Sequence, residues 1–362
     1  MAEEAHDNGP LLLGIDLGSA TTAVVSSRGY RAIIPSVVGY PKDIIAIKLL
    51  GKTQVFGDEA LANPSALTIY HPLREAVVHH GSRQDYNSAA ELLRHVIGLA
   101  TEGEPGPARA IIAAPPRITP ASREALQSIA SELLDAALVI ADPIMVAYHL
   151  DQLDKSLIVD IGATSTVVCA VKGTVPGPQD RAILAKAGDY LDDRLQAMLE
   201  QRHPEARVSR VQARRLKEEH GFVGAPPAPV SVTLRAQGKP RQYEVSGELG
   251  QVCESIVPEI VEQLIVMLKG FDPEDQDKAL QHIFLAGGGA RLRGLGEMIA
   301  RGLRDYGQAR VRLIEEPEFA GARGALRLAG ELPPERWREY GVVASERLAG
   351  GAAGASLQAG GG

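Results

Sequence analysis

Cysteine is scarce in this chain. Only Cys169 and Cys253 occur among 362 residues, at a spacing that fits neither a disulfide framework nor a zinc site. That scarcity suits a reducing, cytoplasmic setting. A basic excess is missing as well. The formal net charge is −7, which argues against free nucleic acid as the main ligand. No apolar run is long enough to span a bilayer. The first ten residues, MAEEAHDNGP, are acidic and lead into a very short apolar run. They read as a flexible N-terminus (1–10), not as a signal peptide or an amphipathic anchor, so direct membrane insertion is not expected. What remains is a soluble globular composition, 45% hydrophobic and 23% charged, with a length that suits about two domains.

What is present is a repeat. Residues 11–25, LLLGIDLGSATTAVV, place an apolar run before Asp16, then Gly18, Ser19, Ala20 and Thr21, then a second β-type run. Residues 156–171, SLIVDIGATSTVVCAV, do the same. Asp160, Gly162, Ser165, Thr166 and Val168 stand where Asp16, Gly18, Thr21, Thr22 and Val24 stand, at one constant offset. Short runs, glycine and β-branched residues predict strand, turn, strand in each copy. Two copies at long spacing suggest two similar α/β lobes. A tight turn of glycine and small hydroxyl residues exposes consecutive backbone N–H groups, which suits phosphate. An Asp just before it suits Mg²⁺. A single D-x-G is an ordinary hairpin turn; two copies after apolar strands favour phosphate binding.

Along the chain, strands are expected at 11–17, 21–27 and 31–35, and residues 36–72 read as a small inserted subdomain. Gly51-Lys52-Thr53 is not a P-loop ending, because Ala46 stands where the first glycine is required. Helix 85–100, strand 110–114, a helix opening at Thr119-Pro120, strand 137–140 and a helix to about 150 complete an alternating α/β pattern. The second half predicts strands at 166–172, 181–187, 230–236 and 241–246. It also predicts helices at 190–201, 209–220, 250–268, 292–305 and 319–329, and a strand at 282–286 that meets Gly287-Gly288-Gly289. Those glycines would let a base or ribose approach the backbone. Residues 345–362, rich in Ala and Gly, are expected to be disordered.

Three further sites are ambiguous by themselves. Lys217 and Glu218 lie among Arg202, Arg207, Arg210, Arg214 and Arg215, where a solvated basic face is the ordinary reading. His79-His80 shows no ligand spacing. Asp142, at a strand end before Pro143, is equally a helix start and a carboxylate able to orient water against a γ-phosphate.

Together the two hairpins, the glycine turn near 287 and the Gly-Asp helix start at 188 resemble the actin, Hsp70 and sugar-kinase superfamily over nearly the whole chain. SVVGYPKD (36–43), KGTVPGP (172–178), AGGGARLRGL (286–295) and GALRLAGELPP (324–334) are similar to the magnetosome-associated bacterial actins. The resemblance implies an actin-like ATPase fold with two lobes around a nucleotide cleft, each carrying a smaller inserted subdomain. Lobe I would span 11–150, completed by about 317–340; lobe II would span 151–316, with its insertion at about 189–249. It implies ATP/ADP and Mg²⁺, with Asp16 and Asp160 serving the metal. Gly18, Ser19, Ala20 and Thr21, and Gly162, Ala163 and Thr164, would hold phosphates. Gly188, Lys217, Glu218, Gly288, Gly289, Ala290 and Arg291 would line the nucleoside, and Asp142 would be catalytic. It further implies a cytoplasmic filament that binds itself and aligns magnetosomes through adaptor proteins.

Three positions depart from the pattern of such actins. Asp142 replaces Glu, Thr164 replaces Gly, and Val167 replaces an acidic residue. A Cβ at residue 164 would push the backbone from the phosphate unless φ stays negative. These departures lead to the expectation that nucleotide binds and hydrolysis is slow. They motivate an alternative, a hydrolysis-impaired paralogue that copolymerises with or regulates an active actin-like filament. A small-molecule kinase on the same fold would need a sugar pocket and an acceptor-activating base, and a chaperone would need a substrate-binding domain. The sequence carries no signature for any of these.

Overall fold

A computed structural model of the chain describes residues 9–73, 83–103, 106–115, 117–141, 143–226 and 228–340. His79-His80, Asp142 and the tail at 345–362 lie outside them. The chain divides into two units: one runs to His149 and resumes at Gly321, and the other is Leu150–Ala320.

The first unit begins with a meander of β1 (Leu11–Leu17), β2 (Thr21–Ser26) and β3 (Arg31–Pro35). A small layer follows: β4 (Val38–Pro41), α1 (Ile44–Leu50), β5 (Val55–Phe56), α2 (Gly57–Ala62) and β6 (Leu67–Tyr70). Then come α3 (Arg83–Ala100), β7 (Ala108–Ala114), α4 (Pro120–Leu133), β8 (Ala136–Ala141) and α5 (Pro143–Leu150). The main sheet has the order β3-β2-β1-β7-β8. Its first three strands are antiparallel, and β1-β7 and β7-β8 are parallel. Strands buried on both faces need near-continuous apolar sequence, as in Leu-Leu-Leu-Gly-Ile. Leu13, Ile15 and Leu17 pack with Leu92, Val96, Leu126 and Ile129 from α3 and α4. Residues 38–70 form their own three-stranded sheet, β5-β4-β6, around Val37, Val55, Ala60 and Leu67.

The second unit repeats the plan. It contains β9 (Ser156–Ile161), β10 (Thr166–Val171), β11 (Arg181–Leu184), α6 (Gly188–Arg202), β12 (Ala206–Arg207), α7 (Arg210–His220), β13 (Ser231–Ala236) and β14 (Lys239–Glu244). It continues with α8 (Ser246–Glu254), α9 (Val257–Lys269), α10 (Pro273–Gln281), β15 (Ile283–Ala286), α11 (Leu295–Gly302) and β16 (Val311–Leu313). Its main sheet is β11-β10-β9-β15-β16, again antiparallel for three strands and parallel for β9-β15 and β15-β16. The β12-β13-β14 sheet contributes Val232 and Leu234 to the same core as Leu157, Leu191, Leu249 and Ile260.

The chain then returns to the first unit as α12 (Ala320–Glu331) and α13 (Pro334–Tyr340). Gly14 admits this return: a Cβ there would stand 2.0 Å from the Ala322 carbonyl oxygen. Ile111, Met145, Ala325 and Trp337 fill the layer so formed.

Three expectations need correction. The helix expected over 250–268 is two helices, α8 and α9. Pro258 has no N–H to continue the ladder, and the Ser255 hydroxyl donates to the Val252 carbonyl at 2.6 Å, closing α8. The helix expected over 292–305 is confined to α11, entered through Gly294 at φ +77°. Helices α10 and α13, both opening on proline, are additional to the elements expected from sequence. Among the described residues, no helix is long and apolar enough to cross a membrane.

Candidate nucleotide site

Both predicted turns sit at the same place in their sheets. Asp16 is the penultimate residue of β1, paired with Ala23 across the hairpin and with Ala113 on the parallel side. Asp160 is the penultimate residue of β9, paired with Val167 and Ala286. Both carboxylates are half-buried.

The turns also share a device that the sequence did not reveal: their carbonyls are held from behind. In the first unit, the Ser36 hydroxyl donates to the Gly18 carbonyl at 2.7 Å, and the Ser36 N–H donates to Ala20 at 2.8 Å. The buried Thr22 hydroxyl lies 2.9 Å from the Ser36 hydroxyl. In the second unit, the Gly188 and Asp189 N–H groups donate to the Gly162 and Ala163 carbonyls at 3.0 and 2.7 Å. Thr166, the repeat partner of Thr22, donates to the Lys186 carbonyl at 2.8 Å. In a planar trans peptide the N–H points opposite to the C=O. Carbonyls drawn inward at residues 18, 20, 162 and 163 therefore turn the N–H groups of Ser19, Thr21, Ala163 and Thr164 the other way. That is the arrangement an anion needs.

Thr164 meets the condition set for it. Among the described residues, five non-glycines have positive φ, and Thr164 is not one of them. Val167 is buried directly opposite Asp160, where its repeat partner Ala23 faces Asp16.

The glycine loop at 287–291 closes over the second carboxylate. Gly287 has φ +77°, and a Cβ there would lie 2.3 Å from Asp160 Oδ1. Gly288 stands in the open, Gly289 backs onto Ile161, and Ala290 is buried. Arg291 forms a two-pronged ion pair with Glu318, its second contact being 2.8 Å.

The structure separates Lys217 from Glu218. Lys217 turns inward from α7 and donates to the Gly188 carbonyl at 2.9 Å, with Asp192 Oδ1 at 2.5 Å. The Lys217 and Asp192 side chains are 11% and 2% exposed. Burial pushes the Asp192 carboxyl above its ordinary range, while Lys217, Arg214 and Arg210 pull it partly back. Glu218 points outward and pairs with Arg214 at 2.7 Å. The basic face expected of α7 is a set of ion pairs: Arg210 with Asp189 and Asp193, and Arg215 with Glu219. Ser36 and Asp192 are the site residues missed from sequence. A lone serine and one of several acids on a helix carry no spacing signal.

Each carboxylate by itself suits a hard cation shared with phosphate. Mg²⁺ takes one or two protein carboxylates and completes its shell with water and substrate oxygens. Among the described residues no group of three or more His, Cys, Asp or Glu could hold a metal unaided. Glycine at 287 keeps any side chain off Asp160 Oδ1, which a Cβ there would approach to 2.3 Å.

The model of the MreB/Mbl protein family matches residues 11–333. The chain belongs to the MreB/Mbl family. This family member is 45% identical over 340 residues to the actin-like protein MamK of Paramagnetospirillum magneticum, covering 94% of this chain and 98% of that one. Among solved structures it resembles a MamK double helical filament, with TM-score 0.85 and 45% identity over 90% of this chain and all of the other. It also resembles a non-polymerising MamK mutant bound to AMPPNP, with TM-score 0.72 and 45% identity over 89% of this chain and 99% of the other. The fold is therefore actin-like, with one α/β sheet plan used twice.

Proposed function

We propose that this MreB/Mbl-family member is an ATP-hydrolysing, filament-forming actin that organises magnetosome chains in the cytoplasm. The observation that carries the nucleotide reading is the pair of Asp–Gly turns whose carbonyls are drawn inward. The self-association reading draws on the likeness to the MamK filament, and the choice of ATP on the AMPPNP-bound mutant. In this reading residues 18–21 and 162–164 take phosphate oxygens. Gly188, Lys217 and residues 288–291 stand on the nucleoside side, Glu218 at its rim. Asp16 and Asp160 hold Mg²⁺, which when bound neutralises charge on the phosphates. Asp142 orients the attacking water, and adaptor proteins join the filament to magnetosomes.

The test is pelleting and phosphate release in parallel, with ATP and Mg²⁺, ADP, or no nucleotide. Expected are nucleotide-dependent pelleting and slow release, with Asp142→Ala stopping release and sparing assembly. Pelleting that ignores nucleotide, with no ATP binding, would overturn the reading. Val167, buried opposite Asp160, favours a second reading: a hydrolysis-impaired paralogue that copolymerises with an active filament. Release absent in the wild type and restored by Asp142→Glu would select it. A fluorescent fusion lying along magnetosome chains tests the cellular role, and diffuse fluorescence would count against it.

A further inference from the structure

We propose that Asp192 is a positioning residue that fixes the second phosphate turn through Lys217 and Gly188; this deepens the nucleotide reading and rests on it. Asp192 stands one helical turn after Gly188 on α6, and side chains on a helix lean toward its N-terminus. Its carboxylate therefore meets the first turn of α6, where Lys217 arrives from α7. The ammonium is gripped twice, by Asp192 Oδ1 at 2.5 Å and the Gly188 carbonyl at 2.9 Å.

From Gly188 the connection passes to the turn itself. The Gly188 and Asp189 N–H groups donate to the carbonyls of Gly162 and Ala163. Gly188 is closely packed: a Cβ there would stand 3.3 Å from Ala163 Cα and 3.4 Å from Lys217 Nζ. The first two N–H groups of α6 are thus spent on the turn's carbonyls, not on an anion. Asp192 to Lys217, to Gly188, to Gly162 and Ala163 is an unbroken chain of polar contacts ending where phosphate is expected.

The charges explain why Asp192 is the anchor. A buried ammonium beside a lone carbonyl would carry an uncompensated charge. Asp192 supplies the opposite charge at 2% exposure, whereas its neighbour Asp193, 63% exposed, pairs with Arg210 at the surface. A buried ion pair is weak evidence for stability alone, since apolar residues often serve as well. Its placement directly behind the turn assigns it the task of holding backbone.

The experiment is hydrogen exchange on the full chain without nucleotide, paired with titration of a fluorescent ATP analogue in Mg²⁺. In Asp192→Asn, exchange at Gly188 and Asp189 should rise about tenfold or more while the C-terminal half of α6 keeps wild-type rates. Affinity for the analogue should fall about tenfold, as for a buried ion pair with one partner removed. Asp193→Asn should change neither. If Asp192→Asn does not fold, Asp192→Leu with Lys217→Met removes both charges and keeps the branching of each side chain, and the same local exchange is expected. Wild-type exchange at Gly188 and Asp189 overturns the proposal. So does faster exchange spread evenly over the unit, or unchanged affinity beside faster local exchange. The exchange reading needs no nucleotide, so a wild type that fails to bind the analogue sinks the nucleotide reading alone.

Discussion

At the scale of residues, the two turns meet one requirement with different chemistry. Gly18 and Ala20 are held by a serine, and Gly162 and Ala163 by the start of a helix. The Asp-x-Gly repeat is legible because its members are neighbours in the chain. Ser36 and Asp192 are not legible, because each reaches its turn across a fold. A third polar anchor sets the loop after β10. Asp180 accepts from Lys172 at 2.8 Å, from the Gly177 N–H at 3.0 Å and from Gln179 at 3.1 Å. The Lys172 hydrogen bond is the largest cause lowering its pKa. A carboxylate with a lowered folded pKa adds stability above its unfolded pKa, about 3.9, and loses it as pH falls through the folded value. Asp180→Asn should therefore cost about 1–3 kcal/mol at pH 7 in urea unfolding. The gap to wild type should close below about pH 4. A gap unchanged with pH would show that the carboxylate charge is not what stabilises the loop.

Among the elements, α1 stands apart. Asp43 caps it by accepting from the Ile45 and Ala46 N–H groups, and Gly51 ends it at φ 64°. These signals make an ordered helix, yet Ile44, Ile45 and Leu49 are 80%, 74% and 72% exposed. Apolar side chains gathered outward on a capped helix suit a surface that another molecule covers. On the filament reading that molecule is a second copy. Ile45→Lys should then raise the protein concentration needed for pelleting about tenfold, with Tm unchanged. Pelleting at the wild-type concentration would remove this face from the assembly. Helices α8 and α9 teach the opposite lesson. Their apolar residues run on continuously in sequence, and Pro258 and the Ser255 hydroxyl divide them.

For the whole molecule, the first unit is completed by residues from the other end of the chain. Trp337 on α13 is 3% exposed and packs with Ile111, Ala136 and Met145, with the Arg109 guanidinium 5.9 Å from its ring centroid. Trp337→Ala should cost about 3–5 kcal/mol, measured by circular dichroism in urea because the chain has no other tryptophan. Near-wild-type stability would mean that α13 is dispensable to the first unit. Which unit the last helices join is a question of packing, and the close approach at Gly14 answers it.

The repeat, the strand runs on either side of each turn and the small residues in the turns are all readable from the order of residues. Periodicity and turn chemistry are properties of neighbours, and neighbours are what a sequence lists. Packing settles which of Arg210, Arg214, Arg215 and Lys217 turns inward, since all lie on one helix and only one meets a buried carboxylate. It alone gave Ser36 its place behind the first turn, kept φ at Thr164 out of the positive range, and returned α12 and α13 to the first unit. Each of these depends on surfaces that exist only once distant segments have packed.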